Sequence, residues 1–581
     1  MFGRRRSREI APDEIFLDSS NLPSLDSAQM EGRVESPVSS TPLVGVGLIF
    51  ALGVCAFLYQ TFSLQIVQGA EFSEISRENR LDRSILFAPR GHIYDRTGEQ
   101  IAWNEALTAE EELASTTPRE VTDFPRRRYY EQDGLAHILG FVRYPRQDQS
   151  GVWWREDYSG VSGAELLFDT ELRGSNGSSL LETDARGGIR RQHIVVPTQI
   201  GKDITLTIDA AVQSKLHTQL AQHAENNNFK GGAAVIIDVH SGELLALTSF
   251  PEYDNEAFTE GNTAAVTAAH ESARTPLLNR AIAGLYAPGS IVKPLFAAAA
   301  LQESIIAPEK SILSTGQLTV PNPYNPDKPS VFRDWKAHGW VDMRRAIAVS
   351  SDVYFYTIGG GVPGQKGLGI TKLDDYSRAF GLGSLTGIAL KGEVEGVIPT
   401  PEWKKQVFGE DEEWRLGDTY ITSIGQFGFQ ITPIQAARFT AALANGGKLL
   451  TPHIIPGELQ EIAVGIDDEY LQVAREGMHS AVADGGTAAA LNIAGIEIAA
   501  KTGTAEVGER NQFMNSWVVG FWPAAEPRYA FAVVLEKAPA GTLSGASPGL
   551  RPFFEWLITE KPEYVGKEED LTPDEGGVPS E

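Results

Sequence analysis

The sequence predicts an α+β protein: a large mixed domain, a smaller β-rich domain before it, and one membrane-spanning helix near the N-terminus. Three observations carry this. One strongly apolar run, Pro42–Leu58 extended by Tyr59–Val67, is long enough to cross a bilayer. Short strand patterns broken by Gly and Pro follow it. Beyond residue 203, strand patterns at both ends bracket a helical middle.

Residues 1–41 form a polar, acidic tail with Pro and Ser and read as flexible. Residues 42–67 are the anchor. The 41 residues before it are too many for a signal peptide, and no small-x-small cleavage site is present. Cys55, the only cysteine, lies inside the run, so neither an internal disulfide nor a cysteine-based zinc site is available. Val54 precedes it where a lipidation site needs a small residue. A buried helix of a globular domain is the alternative. Arg4–Arg8 favours a cytoplasmic N-terminus, yet only Arg33 before the span and Arg77 and Arg80 after it stand close. The positive-inside rule is nearly silent here.

Residues 68–202 read as an elongated β-rich pedestal. Its Arg126–Arg128 and Trp153-Trp154 read as surface and packing features, with partner contact as the alternative. Residues 203–558 form the large domain. Ala233–Val239, a turn at His240–Glu243 and Leu244–Leu247 make a hairpin. Helical patterns follow, and Ile496–Ala505, Asn515–Trp522 and Tyr529–Leu535 close the domain as antiparallel strands. Residues 559–581 form an acidic tail: Glu560–Glu581 holds eight acids against two lysines and reads as disordered. Of 581 residues, 42% are apolar and 22% charged, ordinary values for a globular chain large enough for more than one domain. The formal charge of −26 argues against a nucleic-acid partner.

Three short motifs stand in order: Ser290-Ile-Val-Lys293, Ser350-Ser-Asp352 and Lys501-Thr-Gly-Thr504. The second follows the first by about 60 residues and the third follows by about 150 more. A serine hydroxyl is a weak nucleophile until a base takes its proton. Lys293, three residues on, lies on the same helical face. Lys501 converging on the same pocket would help an ammonium give up its proton. Ala287-Pro-Gly-Ser290 reads as a turn into a helix, and Pro294 is tolerated in the first turn. Ser290 then stands at a helix N-terminus, where free N–H groups favour developing negative charge. Ser350 can relay a proton, and Asp352 can orient the lysines. Lys501 and Thr502 suit a terminal carboxylate. Gly503 lets a substrate backbone lie beside the strand, and the Ser290 and Thr504 N–H groups make an oxyanion-hole pair. Each motif alone has a plainer reading: an ordinary surface helix, a helix cap and a strand turn. Their order and spacing favour the joint one.

These motifs are those of serine β-lactamases and penicillin-binding proteins. The chain resembles the class B penicillin-binding proteins, monofunctional peptidoglycan D,D-transpeptidases, over residues 60 to 556. Further carriers are Leu64–Gly69, Asn79-Arg80, Ala88–Gly98, His137–Gly140, Gly160–Glu165, Asp169, Leu172–Gly174 and Thr205–Asp209. Inside the large domain they are Asn279–Ala281, Ser423–Gln426, Thr432-Pro433 and Ala444–Gly447. The resemblance implies the serine β-lactamase/transpeptidase fold and a dimerisation-type pedestal. It also implies an acyl-enzyme on Ser290, formed from a stem peptide ending in D-Ala-D-Ala with release of D-Ala. An amine on a neighbouring strand then takes the acyl group, and β-lactams acylate the same serine. It implies no cofactor and no metal. It places the catalytic part outside the bacterial cytoplasmic membrane, beside a glycosyltransferase partner of the SEDS type and other wall-synthesis proteins.

Three departures stand out. The span Asn104–Asp123 is short, so the pedestal head is reduced. Phe427 stands where relatives often have Gly, and this swap has no reading from sequence. The second motif ends in Asp352 rather than Asn; with Tyr354-Phe-Tyr356 after it, it leans toward the elongation-type penicillin-binding protein 2 branch.

Two other functions compete. A class A β-lactamase needs a deacylating glutamate in Glu-x-x-Leu-Asn, which is missing between Asp352 and Lys501; Leu491-Asn492 follows alanines. A β-lactam sensor on the same fold stays open beside it. An inactive scaffold is disfavoured by three intact motifs. The ten histidines are scattered, with no His-Glu-x-x-His. Gly359–Gly361 lacks a following Lys-Ser/Thr and reads as a loop. Asp334-Trp-Lys-Ala-His338 could pair with Asp352 around a metal, but a packed loop beside the active site is the favoured reading.

Overall fold

The structure is a computed structural model, and it describes residues 40–71, 81–105, 124–183, 189–322 and 327–566. The Arg4–Arg8 cluster, Asn79-Arg80, residues 106–123 of the short head and the acidic tail after residue 566 lie outside the described residues. The chain divides into two compact units, Met1–Asp82 with Leu181–Gln192 and Arg83–Leu180 with His193–Glu581.

In the first unit Ser40–Phe62 is one α-helix that runs into a π-helical turn at Ser63–Val67. Val44–Val67 is long and apolar enough to cross a membrane, with none of it buried. An apolar helix left wholly uncovered fits a bilayer better than a globular core.

In the second unit the pedestal carries a four-stranded sheet ordered Ile204–Thr205, Ile93–Tyr94, Gln100–Glu105, Arg126–Tyr129. Ile204–Thr205 joins it in parallel, at the point where the chain enters the large domain. Several residues of the family signature meet here. Arg90 Nε lies 2.6 Å from Glu165 Oε2 and Nη2 lies 2.9 Å from Asp169 Oδ1. Arg127 Nε lies 2.7 Å from Glu165 Oε1, and Nη1 donates to Gly91 O at 2.9 Å. The Arg90, Arg127 and Glu165 side chains are fully buried. Arg127 is therefore a packing residue, as the plainer reading of Arg126–Arg128 expects.

The large domain is built on a five-stranded antiparallel sheet. Helix α1 (Ala210–Asn226) precedes β1 (Gly231–Asp238) and β2 (Leu244–Phe250). The helical middle includes α2 (Lys293–Gln302), α3 (Met343–Ala348), α4 (Asp352–Gly360) and α5 (Pro433–Ala444). Then come β3 (Ala499–Val507), β4 (Phe513–Trp522), β5 (Tyr529–Pro539) and α6 (Ala546–Glu560). The sheet order is β2-β1-β5-β4-β3, so β3 has one free edge.

Both faces of this sheet are covered, which explains why its strands read as continuous apolar runs instead of alternating ones. On one face Ala234, Ile236, Val518 and Phe531 pack with Leu216 of α1 and Phe554 of α6. On the other, Ala233, Val235, Trp517 and Val534 pack with Leu295 of α2 and Phe439 of α5. Helix α2 is buried from Lys293 to Leu301, so its one lysine stands in an apolar setting.

Candidate active site

Ser290 stands in a single 3-10 turn, Gly289–Val292, that runs straight into α2 with Pro294 in the first helical turn. The turn lies against β3. A Cβ on Gly503 would stand 2.8 Å from Pro288 O and 2.9 Å from Ile291 Cγ2. Only glycine allows that approach. Gly289, at φ +55°, sits as close to Thr504 O. The first and third motifs are thus in direct contact, while Ser290 is half-buried and Thr504 exposed.

Lys293, one turn after Ser290, is completely buried. Its ammonium donates to Ser350 O at 2.9 Å, Ser350 Oγ at 3.2 Å and Asp352 Oδ1 at 2.6 Å. Three donors meet three acceptors, all on the second motif. None of the three goes to Ser290. Lys293 thereby ties the first motif to the second. The Phe355 ring lies 5.4 Å from Nζ.

Lys501 is also fully buried and donates to Thr502 O at 2.7 Å. Burial, and then the charge of Lys293, hold its pKa well below the usual lysine range; Asp352 opposes them. The like-charge pressure expected from sequence therefore falls on Lys501. Thr502 Oγ1 donates to Thr487 Oγ1 at 2.7 Å, and Thr487 N donates to Ala348 O at the end of α3.

Ser350 links α3 to α4 at φ +59°, a left-handed conformation in a non-glycine residue. Such strain costs on the order of 1–3 kcal/mol and persists only where the surroundings fix it. Here Asp334 does the fixing. Its buried carboxylate accepts from Ser351 Oγ at 2.9 Å, Val353 N at 3.0 Å, Ser314 Oγ at 3.1 Å and Trp335 N at 2.9 Å. His338 Nε2 stands 3.5 Å from the same carboxylate, and burial lowers its pKa. Asp334 thus grips both chain neighbours of Asp352, and Asp352 turns to Lys293. Asp334–His338 is the packed loop of the plainer reading. Its holding role was invisible in sequence, because its partners lie 17 and 19 residues on.

The arrangement brings a serine at a helix entrance, two buried lysines, one carboxylate and a free strand edge into one site. Residues 232–555 match the model of the penicillin binding protein transpeptidase domain, and residues 103–206 that of the penicillin-binding protein dimerisation domain. The chain belongs to the penicillin-binding protein transpeptidase family. Within that family, it is 32% identical to the peptidoglycan D,D-transpeptidase MrdA of Haemophilus influenzae over 77% of this chain and 72% of the relative. Among solved structures, penicillin-binding protein 2 of Helicobacter pylori, in complex with MreC, is 26% identical with a TM-score of 0.65, covering 82% of this chain and 98% of that one. A chain of a peptidoglycan synthase complex that coordinates polymerization and crosslinking is 25% identical with a TM-score of 0.67. It covers 92% of this chain and 100% of that one. The region matched by the second model contains Arg127 and Glu165, and Arg90 joins them from just before it in a buried cluster of charge.

Proposed function

We propose that this chain is a membrane-anchored peptidoglycan D,D-transpeptidase of the elongation branch, acting in cell-wall synthesis and cell shape. Ser290 Oγ attacks the carbonyl of the penultimate D-Ala of a stem peptide. Its proton leaves for the base, the C–O bond forms, the C–N bond to the terminal D-Ala breaks, and the departing amine takes a proton. An acceptor amine then attacks the acyl-enzyme and restores the serine. The single observation that carries this is the Lys293 ammonium shared among Ser350 O, Ser350 Oγ and Asp352 beside a second buried lysine.

In this reading Lys501, the lysine pressed toward its neutral form, is the group best able to accept a proton, with Ser350 as relay. Lys293 stays bonded to Asp352 and keeps Ser350 in place. Lys501 and Thr502 take the substrate carboxylate, Gly503 lets the peptide lie along β3, and the Ser290 and Thr504 N–H groups hold the oxyanion. No cofactor enters this scheme.

In this reading residues 42–67 anchor the chain in the cytoplasmic membrane, with its N-terminal tail inside and the large domain outside; the apolar helix over Val44–Val67 and the membership of the family support it. The pedestal spans 68–202 and the transpeptidase domain 203–558. A SEDS-type glycosyltransferase and other wall-synthesis proteins are the partners, as the relatives solved with MreC and within a synthase complex support. Co-purification of the full chain with such a polymerase tests this; a chain that always isolates alone counts against it.

Labelling with a fluorescent penicillin tests the chemistry. A stable adduct on the wild type that is lost in Ser290→Ala is the expected result. Rapid turnover of the drug moves the reading to a β-lactamase, and no adduct at any concentration ends the acyl-enzyme assignment.

A further inference from the structure

Phe427 carries a conformation and a setting that the chemistry above does not use. It has φ +64°, between Gly425 at +77° and Gly428 at +81°. A bulky side chain in the left-handed region is an outlier that the surroundings must hold. They do so with aromatic rings. Trp414 lies 5.6 Å from the Phe427 ring at 82°, Trp403 5.9 Å away at 74°, and Phe408 6.2 Å away, stacked at 17°. Lys404 Nζ stands 5.7 Å over the ring and is tied to Asp418 and Glu413 O, both at 2.7 Å. The Trp403 ring also presses on the next residue: a Cβ on Gly428 would stand 2.1 Å from it.

Two residues before Phe427, the same loop touches the catalytic turn. Gly289 N donates to Gly425 O at 2.9 Å, and a Cβ on Gly425 would stand 2.2 Å from Gly289 O. Gly289 immediately precedes Ser290. The aromatic cluster, the strained loop and the nucleophile's turn are one continuous run of contacts.

We propose that Phe427 is a positioning residue for the nucleophile: its ring, clamped by Trp403, Phe408 and Trp414, fixes the Gly425 carbonyl that receives the Gly289 N–H, and so sets the turn presenting Ser290. This rests on the reading of Ser290 as the acylated residue. A glycine at 427 adopts this backbone without strain but also loosens the loop, so Phe427→Gly is read beside Phe427→Tyr and Trp403→Leu, which alter the rings and leave the 427 backbone alone.

The test is saturation kinetics of acylation by a fluorescent penicillin on the full-length chain, with thermal unfolding in parallel. Phe427→Gly is expected to slow the limiting acylation step by about tenfold to a hundredfold while leaving the half-saturating drug concentration unchanged. Phe427→Tyr, which keeps the ring, is expected to acylate like the wild type. Trp403→Leu, which removes the clamp from the other side, is expected to slow the same step. Phe427→Gly acylating at the wild-type rate overturns the proposal. So does a loss that matches the unfolded fraction, or Trp403→Leu left at full rate. A labelled wild type matched by Phe427→Gly removes this inference alone; a wild type that is never labelled removes the nucleophile and the inference together.

Discussion

The pedestal and the active site each bury a cluster of charges, and the two clusters are balanced differently. In the pedestal, the buried Arg90 and Arg127 face Glu165 and Asp169, two buried cations against two anions, with Glu165 bridging both arginines through separate oxygens and the more exposed Arg173 pairing with Asp169 at the edge. In the active site, the carboxylate that the described residues set against Lys293 and Lys501 is Asp352. A balanced cluster leaves every ion with a partner and holds one geometry. The unbalanced cluster leaves one cation without a counter-charge. That cation is Lys501, and burial beside Lys293 holds its pKa well below the usual range. The pedestal's buried charge fixes structure; in the proposed active site, buried charge lowers the pKa of Lys501.

Removing the bridge breaks the balanced side. Glu165→Gln leaves two buried guanidinium groups short of an anion and is expected to lower stability by about 3–5 kcal/mol, seen as a large fall in the denaturant midpoint. Labelling of the fraction that stays folded should be untouched. The mirror-image change is Lys501→Met, which keeps the bulk and removes the unpaired cation. Stability should hold or rise, because a cation that is hard to bury is gone. Acylation of Ser290 should fall about a hundredfold or more, the share expected of a positioned acid–base group. A Lys501→Met chain that unfolds like Glu165→Gln would erase the distinction between the clusters.

Asp334 sharpens the comparison, because it is a fully engaged buried carboxylate that serves the unbalanced cluster. Asp334→Ala strips Ser351, Ser314 and Val353 N of their shared acceptor, at a cost of about 1–3 kcal/mol. Ser350 is then free to leave its left-handed conformation, and acylation should slow by about tenfold through loss of alignment. Paired urea-unfolding and labelling curves separate the two effects. If only stability moves, Asp334 belongs with the pedestal kind of charge.

These contrasts also show what was legible in the sequence. Ser290-x-x-Lys293 and the Gly503 approach follow local rules: three residues make a helical turn, and a glycine marks a place where chains come close. The hairpin of β1 and β2 and the closing strands β3 to β5 were read from short apolar runs, and the family resemblance placed them in a known fold. Contacts between distant residues were not legible. The acceptors of Lys293 are set by how the 349–352 bend meets α2, and nothing in either motif says that all three donors turn to Ser350 and Asp352. Arg127 looked the same in sequence as its neighbours Arg126 and Arg128, and only the fold sorts the buried one from the others. Phe427 broke a pattern without an evident reason until Trp403, Phe408 and Trp414 were brought around it.

The pH dependence of Ser290 acylation by a fluorescent penicillin, in the wild type and in Lys501→Met, tests the central claim most directly. A lysine with a lowered pKa gives its neutral, proton-accepting form at lower pH, so the wild-type rate should climb as pH rises through that lowered value and level off well below the usual lysine range. The residual rate of Lys501→Met should lack that limb. The same rising limb in both proteins would contradict the account, because the proton would then be leaving for a group other than Lys501.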